Sequence, residues 1–166
     1  AFNAGIGLLH GIGTKQNFEE AFRMFKSAAE KGLPRAQFQL GWCLHQGCGT
    51  AKDEEEALKW FLRSAEQGER AACFSAGVCF ANGEGTAKDN RAAFEWYLKA
   101  AEAGHPGAMV NLGLCYYRGL GVKPNENQAL YWLRQAADAG DEEAKDLFEA
   151  MEKEKREEAR NAGKIP

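Results

Sequence analysis

Glycines recur along this chain in strict register: Gly5, Gly41, Gly77 and Gly113 stand 36 residues apart, as do Gly11, Gly47, Gly83, Gly119 and Gly13, Gly49, Gly85, Gly121. The same interval links Ala21, Ala57, Ala93, Ala129, then Ala29, Ala65, Ala101, Ala137, and finally Gly32, Gly68, Gly104, Gly140. A fixed interval of this size marks one supersecondary unit copied in tandem. Each copy is too small to bury its apolar face alone, so neighbours stack into a solenoid. Four copies are expected, over 1–32, 33–68, 69–104 and 105–140, followed by a C-terminal capping helix over 141–162. In such an array function is sought on surfaces rather than in deep pockets.

The second copy shows how the unit folds. Ala36, Leu40 and Leu44 fall on one helical stripe after Pro34, which suits a helix start. This helix A is expected to end at Gly47, where Gly47-Cys48-Gly49 offers two positions tolerant of positive φ for a reversal. Asp53 with Glu56 then reads as a reciprocal capping box opening helix B over 54–67, repeated as Asn17 with Glu20 and Asn125 with Gln128. In the third copy Asp89 faces Ala92, which predicts a weaker helix start. Ala57, Phe61 and Ala65 form the inner stripe of helix B, and the Trp60, Trp96, Trp132 column, Met24 in the first copy, reads as core beside it. Glycine inside a helix costs about 1 kcal/mol relative to alanine. Gly41, Gly77 and Gly113 are therefore expected where helix B comes so close that a Cβ would clash. Beyond Gly140 a further helix A begins, then passes into the almost wholly charged Glu152–Arg160, a wet outer face ending the stack.

Bulk composition narrows the functional classes. The 166 residues are 45% hydrophobic, enough for one elongated array. A net charge of −3 with scattered Lys and Arg provides no footprint for nucleic acid, and no apolar run approaches the roughly 20 residues of a membrane span. Ala1 corresponds to Gln37, which predicts a chain continuing upstream in a longer protein and leaves a leader there open. Cys43, Cys79 and Cys115 share a column, and neighbouring helices stand about 8–10 Å apart, too far for disulfides. They read as buried thiols, favouring a reducing compartment such as the cytoplasm. His10, His45 and His105 form no His-x-x-x-His pair and the cysteines no Cys-x-x-Cys, so no metal or cofactor is expected. The Gly-x-Gly turns lack the preceding strand and the Gly-Lys-Ser of a phosphate loop, and no catalytic constellation is expected.

The run Ala108, Leu112, Gly113, Tyr116, Gly119, Gly121, Val122, Ala129, Trp132, Ala136, Ala137 and Gly140 resembles the Sel-one-like repeat (SLR), a relative of the tetratricopeptide repeat. The resemblance covers about residues 1–148. A standard tetratricopeptide unit, at about 34 residues, fits less well because the added length falls in the A to B turn. The resemblance implies an all-α, right-handed α-solenoid of antiparallel helix pairs. It also implies a scaffold or adaptor that binds a protein or peptide partner. A cysteine-rich branch of the family pairs two cysteines in each repeat, and the second cysteine column is missing here. A spacer or regulatory domain of a larger protein is the alternative function.

The face of helix A opposite Ala36, Leu40 and Leu44 should line the concave surface of such an array. Its columns read Phe2, Phe38, Phe74, Val110; Ile6, Trp42, Val78, Leu114; and Leu9, His45, Ala81, Tyr117. Beside them runs the polar column Asn3, Gln39, Ser75, Asn111. Two readings stay open: repeat-to-repeat packing covers these side chains, or they form an exposed groove. Phe38, Trp42, His45, Phe74, Val78, Asn111, Leu114 and Tyr117 are the candidate partner-binding residues.

Overall fold

A computed structural model describes residues 2–10 and 17–163. Among these the chain forms helices and no strand. In chain order they are α1 (Phe2–His10), α2 (Phe18–Glu30), α3 (Pro34–Gln46), α4 (Glu54–Ala65), α5 (Arg70–Asn82), α6 (Asn90–Glu102), α7 (Pro106–Arg118), α8 (Glu126–Asp138) and α9 (Glu142–Asn161). Each helix packs principally on its neighbours in sequence, so the hairpins stack in chain order as an α-solenoid. The first copy's turn glycines, Gly11 and Gly13, lie outside the described residues.

The two classes of glycine do different work. Gly41, Gly77 and Gly113 sit inside helices A, and a Cβ there would come 2.8 Å from the Phe61 ring, 2.6 Å from the Tyr97 ring and 2.9 Å from Leu133 Cγ. The expected close approach is present, and the group that approaches is one column: Phe25, Phe61, Tyr97, Leu133. Gly47, Gly83 and Gly119 terminate helices A in the left-handed conformation. Gly49, Gly85 and Gly121 have a further role beyond reversal. A Cβ on them would overlap the backbone carbonyl of Phe18, Glu54 or Asn90, at the start of the preceding repeat's helix B. The second turn glycine is therefore a joint between repeats.

Helix B begins as expected in part. Asn17, Asp53, Asp89 and Asn125 each accept the amide three residues on, Asp53 from Glu56 N at 2.9 Å. The reciprocal half of the box is replaced. The cap residue's own N–H goes to a carbonyl of helix A, Asp53 N to Leu44 O at 2.9 Å and Asp89 N to Phe80 O at 2.8 Å, which ties the two helices of a repeat together. With that donor already used, Ala92 removes no bond. Asp89 accepts from both Arg91 N and Ala92 N, so the weaker third start is not seen in the geometry.

The core is built of alanines and the Phe25 column rather than of tryptophans. Ala57, Ala93 and Ala129 are buried, and Phe61 and Leu133 with them. Trp60, Trp96 and Trp132 are only half-buried at its edge, a correction to their reading as core. Arg63 lies 4.6 Å from the Trp60 ring and Lys99 4.0 Å from that of Trp96, so these faces meet cations at the surface. The cysteine column packs as buried free thiols: burial pushes Cys43 and Cys79 up to about 12 and Cys115 up to about 11, leaving them protonated and unreactive.

Helix α9 occupies the place of a fifth helix A but runs straight on for 20 residues. Ala144 and Met151 face inward, and Lys155 reaches Asn127 at 2.8 Å and Glu126 at 3.5 Å. Those contacts fall at the start of α8, where a further repeat's turn glycine would dock.

Candidate functional site

The first candidate column resolves as seam rather than groove. The Phe38 ring packs on Phe61 at 5.9 Å and touches the core of the following repeat as well. Phe74 lies 6.0 Å from Tyr97 and stacks on His105 at 4.4 Å. Val110 is buried. These positions sit where one hairpin meets the next, so Phe38 and Phe74 hold repeats together.

His105 closes the seam between the third and fourth repeats. Its Nδ1 accepts from Ala108 N at 3.3 Å, capping α7, and its ring covers Phe74. Burial, then the nearby Arg70 charge, pulls its pKa below the ordinary histidine range. The sign follows: the unfolded chain takes up the proton more readily, so the stability held above the unfolded value, about 6.5, is lost as pH falls through the folded value. His105→Asn keeps a capping acceptor without titrating. Melting temperatures between about pH 7.5 and 5 should fall more for the parent than for His105→Asn; parallel curves would contradict this role.

The remaining candidates separate into three places. Val78, Asn111 and Leu114 meet in a depression of about 340 Å³ between α5, α6 and α7, with Ala81, Ala93 and Leu120 completing its apolar walls. Trp42 and His45 stand one repeat earlier in the same columns as Val78 and Ala81, half-buried, with His45 Nδ1 enclosed and lacking a hydrogen-bond partner. Tyr117, 45% exposed, lies at a separate hollow with Pro124, Met151 and the α9 residues Glu154, Lys155 and Glu158.

The depression includes groups that the sequence reading passed over. Tyr97 stands where the other repeats carry Phe25, Phe61 and Leu133, and the Asn111 side chain lies near its hydroxyl. Tyr97 is 5% exposed, and burial pushes its hydroxyl up to about 12, so it remains a neutral hydrogen-bonding group. Arg118, from the last turn of α7, reaches the rim with Asn82 and Asn90. A polar hydroxyl in an otherwise hydrocarbon column was the available signal for Tyr97. Arg118 follows His10, Gln46 and Asn82 in its column, where no regularity points to it.

Among the described residues no group of three or more His, Cys, Asp or Glu is placed to hold a metal ion, and no helix is long and apolar enough to cross a membrane.

Comparison with known proteins agrees with this architecture. The chain is similar to the protective antigen c5321 of uropathogenic Escherichia coli, which displays an SLR fold. The two share 39% identity and a TM-score of 0.88 over 90% of this chain and 32% of that one. It is also similar to a Sel1 repeat protein from Oxalobacter formigenes, at 36% identity and a TM-score of 0.82, covering 88% of this chain and 60% of that one. Helicobacter pylori cysteine rich protein B, 23% identical, shares the fold with a TM-score of 0.64 over 80% of this chain and 95% of its own. The chain thus spans about a third of the E. coli antigen and 60% of the Oxalobacter protein. Among curated proteins no relative matches. The Sel1 repeat profile matches residues 1–33, 34–69, 70–105 and 106–141, and with the stacked hairpins and their glycine joints this places the chain in the Sel1 repeat family.

Proposed function

We propose that this array binds a segment of a partner protein, a peptide or a helix, along the face of its A helices, with its contacts concentrated on the third and fourth repeats. Sel1 repeats are a non-catalytic scaffold fold that generally mediates protein interactions. What supports a groove here is the depression at Val78, Asn111 and Leu114: apolar walls, a neutral polar floor and a charged rim, open on the A-helix face. Exposed aromatics are usual anchors of a binding surface, and Tyr117, half exposed at its own hollow, is on the same helix as Leu114. A helix that lays an apolar stripe along the groove, or an extended segment bonded through Asn111, meets these groups.

The test uses the folded protein as bait against a lysate of the source cells, beside its Trp42→Ala and Tyr117→Ala variants. The reading expects a specific protein retained by the parent and reduced about tenfold or more by Tyr117→Ala, a loss near 1.4 kcal/mol, with an unaltered melting curve. Retention equal in all three would favour the spacer or regulatory domain of a larger protein, since a spacer tolerates changes on this face.

A further inference from the structure

The depression between α5, α6 and α7 lies where two repeat columns become small after the second repeat. Trp42 and His45 fill two columns of helix A in the second repeat; in the third they are replaced by Val78 and Ala81. Both substitutions remove ring volume from the same face, and about 340 Å³ is left between this hairpin and the next. That lies at the small end of ligand pockets, room for one large side chain and part of its neighbour.

The charge pattern changes at the same junction. Helices α4 and α8 open with Glu54 and Glu126, whereas α6 opens with Asn90, which lines the depression without a carboxylate. Asn82, which lines the depression, holds the Glu84 carboxylate at 3.0 Å. Arg118 has no ion pair among the described residues, like Lys88 and Lys123 and unlike Arg91, which pairs with Glu95 at 3.6 Å. Arg118 is the one charged residue among those described that lines the depression, and a guanidinium there favours a carboxylate, which it can grip with two parallel N–H bonds. Buried Tyr97, beside Asn111, adds a neutral hydroxyl to the lining.

We propose that this depression is the specificity subsite of the array. It takes one large apolar side chain of a partner peptide, and an adjacent Asp or Glu of that peptide pairs with Arg118. The proposal rests on the interaction-module reading and deepens it, naming the partner segment as acidic and apolar.

The experiment is a selection of displayed random peptides on the folded protein, followed by affinity measurement of the enriched peptides against two variants. The first, Val78→Trp with Ala81→His, refills the pocket with the side chains the second repeat already accommodates, so the fold has a precedent for them. The second, Arg118→Gln, keeps the pocket and removes the charge. The expected peptides carry Asp or Glu beside Leu, Phe, Trp or Met. They should bind the refilled variant at least tenfold more weakly and Arg118→Gln severalfold more weakly, and raised salt should abolish the difference between parent and Arg118→Gln. Peptides that bind parent and both variants equally would overturn the subsite while leaving an interaction module that uses another face. Peptides lost on refilling but free of acidic residues would overturn the carboxylate assignment. Failure to enrich any peptide would count against both readings.

Discussion

Gly121→Ala breaks the joint between the third and fourth repeats, whereas Gly68→Ala, chemically the same change, is tolerated. Both glycines have positive φ, +73° and +86°, a region that costs a residue with a Cβ about 1–2 kcal/mol. At Gly68 nothing lies within 4 Å of the added carbon, so that strain is the whole cost. At Gly121 the carbon would overlap the Asn90 carbonyl oxygen and stand 2.5 Å from its carbon and 2.8 Å from Arg91 Cα. These are backbone atoms in the first turn of α6, which no rotamer change can move aside. The hairpins must separate, and the seam of Phe74, His105 and Val110 loosens with them. A destabilisation above about 3 kcal/mol is expected for Gly121→Ala, against about 1–2 kcal/mol for Gly68→Ala. Because a solenoid's stability is nearly a sum of units and interfaces, the first variant should also unfold in two steps. Urea titrations read by circular dichroism measure both; equal midpoints would refute the role given to the second turn glycine.

Gly113→Leu is the other large effect. Inside α7 the added Cβ would lie 2.9 Å from Leu133 Cγ and 3.3 Å from the Ala129 carbonyl oxygen, and the remaining leucine carbons would enter a region where Leu133 and Ala129 are 0% exposed. Overpacking a closed core costs about 1–3 kcal/mol and more where backbone must move. The last repeat should therefore detach or the array melt at markedly lower temperature. Alanine at these positions grades the effect. Gly113→Ala regains about 1 kcal/mol of helix propensity, and Leu133 can rotate, so the two terms nearly cancel. Gly77→Ala meets two Tyr97 ring atoms at 2.6 Å, and that ring is rigid and buried. Gly77→Ala should thus be clearly the worse of the two. A Gly113→Leu melting temperature equal to the parent's would contradict the packing of helix A on helix B.

The same residues mark how far the linear chain could be read. Helix starts at Asp53 and Asn125, helix ends at Gly47 and Gly119, and the interior glycines were legible because each follows from local chemistry repeated in register. The capping box was half right: sequence shows that Glu56 has the reach, but not that Leu44 O already holds the Asp53 N–H. The tryptophan column was misread because a large apolar residue beside a buried stripe looks alike whether it faces a neighbour or the edge. Phe38 and Phe74 were candidates for the groove on helical angle, which ranks faces of one helix and says nothing of the hairpin stacked beside it. Of the partner-binding candidates, Val78, Asn111 and Leu114 gather in one depression, while Tyr97 and Arg118 enter it from columns that drew no attention.

The repeat interval, the all-helical hairpin and the alanine and glycine columns were determined by sequence alone, since periodicity and capping act within a few turns of chain. Which carbonyl the second turn glycine touches, which aromatics become seam, and where a cavity opens were decided only by tertiary structure. Each depends on the offset at which one hairpin lies against the next, and so on pairs of side chains a whole repeat apart. At the third junction that offset sets Val78 and Ala81 opposite Leu114 and Arg118, and the missing ring volume becomes space.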